Sequence, residues 1–157
     1  MSGEDPEARM LALEESMLET LPHETRPVYL AARVAVAEGS LCTLRELVKN
    51  LDFIEAKALL IFAQYRVKHH KDDQLGRIVY FLQQAARRKG RLVVQALIRA
   101  DNLDAVKDFI EQDKVLQFYD WYQLAGAMIM DRRSSTATLD YLLWIKLYDR
   151  FFKCPFT

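Results

Sequence analysis

Cysteine is nearly absent: Cys42 and Cys154 are the only two in 157 residues. Two are too few for a disulfide framework, and their separation is wrong for a zinc site. Cys42 is therefore expected as a small buried hydrophobe and Cys154 as a free terminal thiol, in a reducing intracellular compartment of cytoplasm or nucleus. Glycine and proline are scarce too, at five and four, which excludes a fibrous or disordered chain. No apolar run approaches the ~20 residues that a membrane span needs. The stretch from Met1 to Glu7 is acidic and polar, the wrong character for a secretory signal. The closing Cys154-Pro155-Phe156-Thr157 puts a cysteine where a prenyl acceptor stands, but Pro155 fits the aliphatic slot poorly and no basic cluster lies directly upstream.

Residues for chemistry are equally sparse. Of three histidines, His69 and His70 are adjacent and diverge by about 100° on a helix, so they chelate poorly together, and His23 stands beside Pro22. The chain contains no glycine-rich phosphate loop, no Gly-x-Ser-x-Gly, no His-Glu-x-x-His and no paired Cys-x-x-Cys. Neighbouring acids such as Glu14 with Glu15, or Asp72 with Asp73, sit in polar contexts that do not raise a carboxyl pKa for acid-base work. No catalytic, metal or cofactor residue is assigned, and the expectation is a chain that is not an enzyme.

What is present describes an ordered globule of one domain over residues 1–157: 51% hydrophobic and 28% charged residues, with a net charge of zero. The charge is uneven. Seven acids face Arg9 alone in residues 1–25, and nine Lys/Arg outnumber Asp72 and Asp73 in residues 66–99.

Apolar spacing is helical nearly throughout, and strand alternation is almost missing. Pro6 opens a first helix with Met10, Leu13, Met17, Leu18 and Leu21 inward and Glu14, Glu15 and Glu19 on the remainder; it caps the domain over residues 1–22. Pro27 opens the second, with Ala31, Ala32, Ala35 and Val36 as a small-residue surface, and Gly39 ends it. Ser40 caps a third, carrying Leu44, Leu47 and Val48, and Asp52 caps a fourth through Ala56, Leu59, Leu60, Ala63 and Val67. Asp72 or Asp73 starts a fifth with Leu75, Ile78, Val79 and Leu82 inward, and Gly90 separates it from a sixth. A break at Asp101-Asn102 precedes a short seventh, an eighth covers about 117–131, and Ser134 or Ser135 caps a ninth reaching about 152.

Small residues (Ala32, Ala63, Ala96, Ala125) and bulky anchors (Leu47, Leu82, Phe109, Leu142) each recur with a period of roughly 30 residues, as stacked helix hairpins require. Arg26-Pro27-Val28-Tyr29-Leu30-Ala31-Ala32 resembles the opening signature of an ankyrin repeat, and Asn102 to Ile110 resembles its mid-repeat turn and second helix. The resemblance implies an all-α, right-handed stack of about four antiparallel helix pairs over residues 27–152. No unit ends in the Gly-Ala-Asp turn, so regular β-hairpin fingers are not expected. An irregular helical bundle is the alternative architecture.

Two surfaces are candidates for a partner. Ten of 17 aromatics lie in residues 118–157. On a wheel, Tyr141, Leu143, Trp144, Ile145, Leu147, Tyr148, Phe151 and Phe152 fill an arc of roughly 200°, broader than one neighbouring helix covers. The chain's own last residues, a second copy or another protein are the possible covers, and Trp121, Tyr122, Tyr141, Trp144 and Tyr148 are the candidate anchors. The basic turns supply Lys68, Lys71, Arg87, Arg88 and Arg91. With residue 70 at a turn and residue 90 at a junction, these form two patches in place of one groove. Few aromatics interleave them, which disfavours nucleic acid. The expected function is thus a non-catalytic protein-interaction module, either an adaptor or a pathogen factor that binds a protein inside its host cell. The alternative is a nucleic-acid or anionic-surface binder using residues 66–99.

Overall fold

Helix signals fix most of the architecture locally. The computed structural model describes residues 5–20, 26–70, 72–112, 115–116, 120–121 and 123–124, and among these the regular structure is entirely helical. Helix α1 (Pro6–Leu18) starts as expected: Pro6 occupies the first turn and the Asp5 carboxylate accepts from the Glu7 amide at 3.1 Å. Its inward face differs from the expectation. Met10, Glu14 and Leu18 are buried, whereas Leu13 is 52% exposed. The register turns because Glu14 meets a compensating charge in Arg33, with which it forms an ion pair.

Helix α2 (Arg26–Glu38) buries Tyr29, Ala32, Ala35 and Val36, while Ala31 faces out. It ends where Gly39 adopts a left-handed backbone, φ +73°. The Ser40 amide then donates to the Ala35 carbonyl at 2.9 Å and the Gly39 amide to Val36 at 3.1 Å. Those two bonds satisfy carbonyls that a helix end otherwise leaves open, and glycine takes the left-handed angle without a Cβ penalty. Helix α3 (Leu41–Val48) follows at once, burying Leu44 and Val48. Ser40 does not cap it through its side chain; its hydroxyl is hydrogen-bonded to the Thr43 hydroxyl at 2.9 Å. Cys42, expected inside, is exposed on α3, since Leu44 and Val48 take the inward positions.

Helix α4 (Phe53–His69) opens with a full capping box: Asp52 accepts from the Glu55 amide at 2.9 Å and Glu55 accepts from the Asp52 amide at 3.2 Å. Phe53, Ala56, Ala58, Leu59, Leu60, Phe62 and Ala63 are all buried, so α4 is enclosed on several sides. Helix α1 packs on α4, and α2 packs on both α3 and α4.

Helix α5 (Asp73–Arg99) is a single element of 27 residues. The break expected at Gly90 does not occur. Leu75, Ile78, Leu82, Ala85, Ala86, Gly90, Val94 and Ile98 are buried at helical spacing, and that unbroken stripe outweighs the ~1 kcal/mol that an interior glycine costs. Residue 90 is therefore no junction between helix pairs. Asp101, with φ +54°, forms the next helix end: the Asn102 amide donates to Leu97 and the Asp101 amide to Ile98, both at 3.0 Å. Helix α6 (Leu103–Gln112) follows, capped by the Asn102 side chain on the Ala105 amide at 3.2 Å. Of the expected eighth helix, Asp120, Trp121, Gln123 and Leu124 are helical, while the expected ninth lies outside the described residues.

The chain divides into two units, Met1–Ala86 and Arg87–Thr157. In the first, Tyr29, Val36, Leu44, Leu59, Ile78 and Leu82 are almost wholly enclosed. In the second, Val94, Ile98, Val106, Leu116, Trp121 and Leu124 form the core, with Leu97, Phe109 and Ile110 packed against it. No described helix is long and apolar enough to cross a membrane.

Candidate interaction site

The expected contact residues separate once placed. Trp121 is 6% exposed and meets the Phe109 ring edge-on, with centroids 6.3 Å apart, so its area is spent inside the second unit. Tyr122, Tyr141, Trp144, Tyr148 and Lys71 lie outside the described residues. Lys68 is exposed near the end of α4, and Arg88 is exposed on α5. Arg87 and Arg91 are one helical turn apart and converge on Asp120, which is 1% exposed. Arg87 Nε reaches Oδ2 at 2.8 Å, and Arg91 Nη1 lies 3.6 Å from Oδ1 and donates to Gln123 Oε1 at 2.7 Å. These two cations tie Asp120 and Gln123 to α5, work that composition alone does not reveal. Among the described residues no group of three His, Cys, Asp or Glu side chains is placed to hold a metal ion.

A different surface lies in the first unit. The first unit carries a groove of about 660 Å³ between α3 and the first half of α5. Leu41 and Arg45, one turn apart, supply one wall; Asp73, Gly76, Arg77, Tyr80, Phe81 and Gln84 supply the other. The α5 positions recur every three or four residues, which is the condition for one helix face. The start of α5 comes close to the α2–α3 turn: the Gln74 Cβ is 3.8 Å from where a Cβ on Gly39 would stand.

The groove is mainly apolar, with charge at its edges. Tyr80 is 65% exposed, although a ring of that size ordinarily finds cover. The Arg45 guanidinium lies 5.9 Å from the Phe81 ring centroid, within cation-π range. Neither Arg45 nor Arg77 forms an ion pair among the described residues. Tyr80 was legible in principle: it falls outside the Leu75, Ile78, Leu82 stripe, and an aromatic on the polar side of a helix is the signal.

The remaining ionisable cluster lies inside the first unit. Arg33 Nε is 3.0 Å from Glu14 Oε1, and the Arg33 guanidinium stacks 4.2 Å above the Phe62 ring. Burial raises the Glu14 pKa, against the lowering influence of the Tyr29 hydroxyl and Arg33. Burial and the adjacent Glu14 carboxylate push the Tyr29 phenol far above its usual value. Next to it, Arg26 reaches Glu15 Oε1 and the Leu18 carbonyl, each at 3.4 Å. The cluster ties α1 to α2 and α4.

No protein-family model matches the chain, and no curated protein or solved structure matches it at a significant level.

Proposed function

We propose that the chain is a protein-interaction module that seats a segment of another protein in the groove between α3 and α5. One observation carries the reading: an apolar groove of about 660 Å³ displays Tyr80 at 65% exposure beside two arginines without ion-pair partners among the described residues. Clefts of roughly 300–1,000 Å³ are of the size that binds ligands, and tyrosine and arginine are among the residue types that anchor interfaces. In this role the chain acts as an adaptor, or in a pathogen as a factor capturing a host protein. The pairing of α2 with α3 across Gly39 supports stacked helix hairpins as its framework, although the unbroken α5 makes the units unequal. The aromatic positions Tyr122, Tyr141, Trp144 and Tyr148 enter the proposal through their sequence pattern alone.

Selection of a random displayed peptide library on the full chain tests this, with binding mapped by amide chemical shifts. Selected peptides are expected to move Leu41, Arg45, Gly76, Arg77 and Tyr80. Tyr80→Ala, at an exposed site where substitutions change stability by less than about 0.5 kcal/mol, is expected to abolish binding without altering the melting temperature. Shifts confined elsewhere, or no selectable binder, reject the reading. A concentration-dependent solution mass, with the same amides broadened, identifies a second copy as the occupant and rejects it equally.

A further inference from the structure

We infer that the groove is built for an acidic peptide carrying one bulky apolar side chain, and that Gly76 is the residue that makes room for that side chain. The inference rests on the proposed function and names its partner's chemistry. Gly76 lies in the first turns of α5, where glycine costs about 1 kcal/mol relative to alanine. Nothing among the described residues requires it. Its φ is not in the left-handed region, and a Cβ built on it meets no atom of the described residues within 4 Å. Gly76 stands among the lining residues of the groove, on the α5 face that also carries Asp73, Arg77, Tyr80, Phe81 and Gln84. A residue unfavourable to its own helix, unexplained by packing or backbone angle, and set in the lining of an apolar groove is accounted for by what occupies the groove.

The charges decide the rest of the peptide. Arg45 comes from α3 and Arg77 from α5, so the cations are placed on both walls, against the one carboxylate of Asp73. Arginine pairs with carboxylates through two parallel N–H donors. The apolar lining around Leu41, Tyr80 and Phe81 takes the bulky group, and the two guanidinium groups take flanking carboxylates.

The test uses three synthetic hexapeptides with blocked ends. The first has tryptophan flanked by glutamates, the second replaces the glutamates by lysines, and the third replaces the tryptophan by alanine. Each is titrated into the full chain and followed by amide shifts. The acidic tryptophan peptide is expected to move Arg45, Gly76, Arg77 and Tyr80, and to bind at least about tenfold more tightly than the other two at low salt. Gly76→Leu is expected to weaken it by about tenfold or more while melting no lower than the wild type. Arg77→Glu is expected to remove the preference for acid. Equal affinity for the lysine peptide, or an unchanged affinity in Gly76→Leu, overturns the inference. If library-selected peptides still map to the groove in that case, the interaction module stands and only its assigned partner chemistry falls. If none maps there, both fall.

Discussion

Arg33 holds Glu14 at 3.0 Å from the opposite side of the α1–α2 contact, and the same guanidinium lies flat over Phe62 of α4. One side chain thus joins three helices. Glu14 is 5% exposed, so its carboxylate is tolerated because a guanidinium and a phenol surround it. Truncation of Glu14 to alanine leaves Arg33 without that partner and is expected to lower stability by about 2 kcal/mol in urea unfolding. A loss below a few tenths of a kcal/mol means that the Glu14–Arg33 pair does not hold α1 in place.

The same carboxyl has a characteristic pH signature. Its folded pKa is raised, so the folded state holds the proton more tightly than the unfolded chain does. The contribution is fully present below the unfolded carboxyl pKa of about 4.3 and is lost as pH rises through the raised folded value. Glu14→Gln removes the titration. Wild-type stability minus variant stability is therefore expected to fall as pH rises across that window in parallel unfolding series. A flat or rising difference contradicts the assignment.

Two glycines are expected to respond oppositely to alanine. Gly39→Ala forces a Cβ into a left-handed backbone at φ +73° and is expected to cost about 1 kcal/mol. Gly76→Ala adds a methyl group in open space on a helix and is expected to add about 0.5–1 kcal/mol. Thermal unfolding of both variants checks the pair, and equal signs contradict the backbone account.

Asp120 is the corresponding prediction in the second unit. Its buried carboxylate receives Arg87 and Arg91, and Asp120→Ala is expected to cost about 3 kcal/mol, seen as earlier loss of the ordered Trp121 signal. If the arginines served an external polyanion instead, Arg87→Met would abolish binding to heparin and leave the unfolding midpoint unchanged.

Loss of the α4 cap is local and measurable. Asp52→Ala removes the acceptor for the Glu55 amide and is expected to cost about 1 kcal/mol, while Asp52→Ser restores most of it. Chemical unfolding of the two variants separates the cap from a general charge effect.

Helix ends were the most legible part of this chain, because they are written in one or two residues. Pro6, Gly39, Asp52 and Asp101-Asn102 each marked an end that the structure has. Gly90 misled because a terminator acts only where the apolar stripe also stops, and here Ala86, Gly90 and Val94 continue it. Inward faces were harder to read. Glu14 and Cys42 exchanged their expected places, since burial of a charge depends on a partner 19 residues away, Arg33, that no local pattern connects. The groove escaped for the same reason: Leu41 and Tyr80 become neighbours only through the α2–α3 turn and the approach of α5. Cation counts over residues 66–99 did not distinguish Arg77, on a groove wall, from Arg87, committed to an internal carboxylate.

Cys42 stands solvent-accessible on α3, next in sequence to Leu41. With Cys154 replaced by serine it becomes a unique attachment point, where disulfide-bearing fragments can be captured and weighed intact by mass spectrometry. The nearby wall can then be surveyed chemically with no natural ligand in hand, because each fragment retained against reductant records a complementary shape.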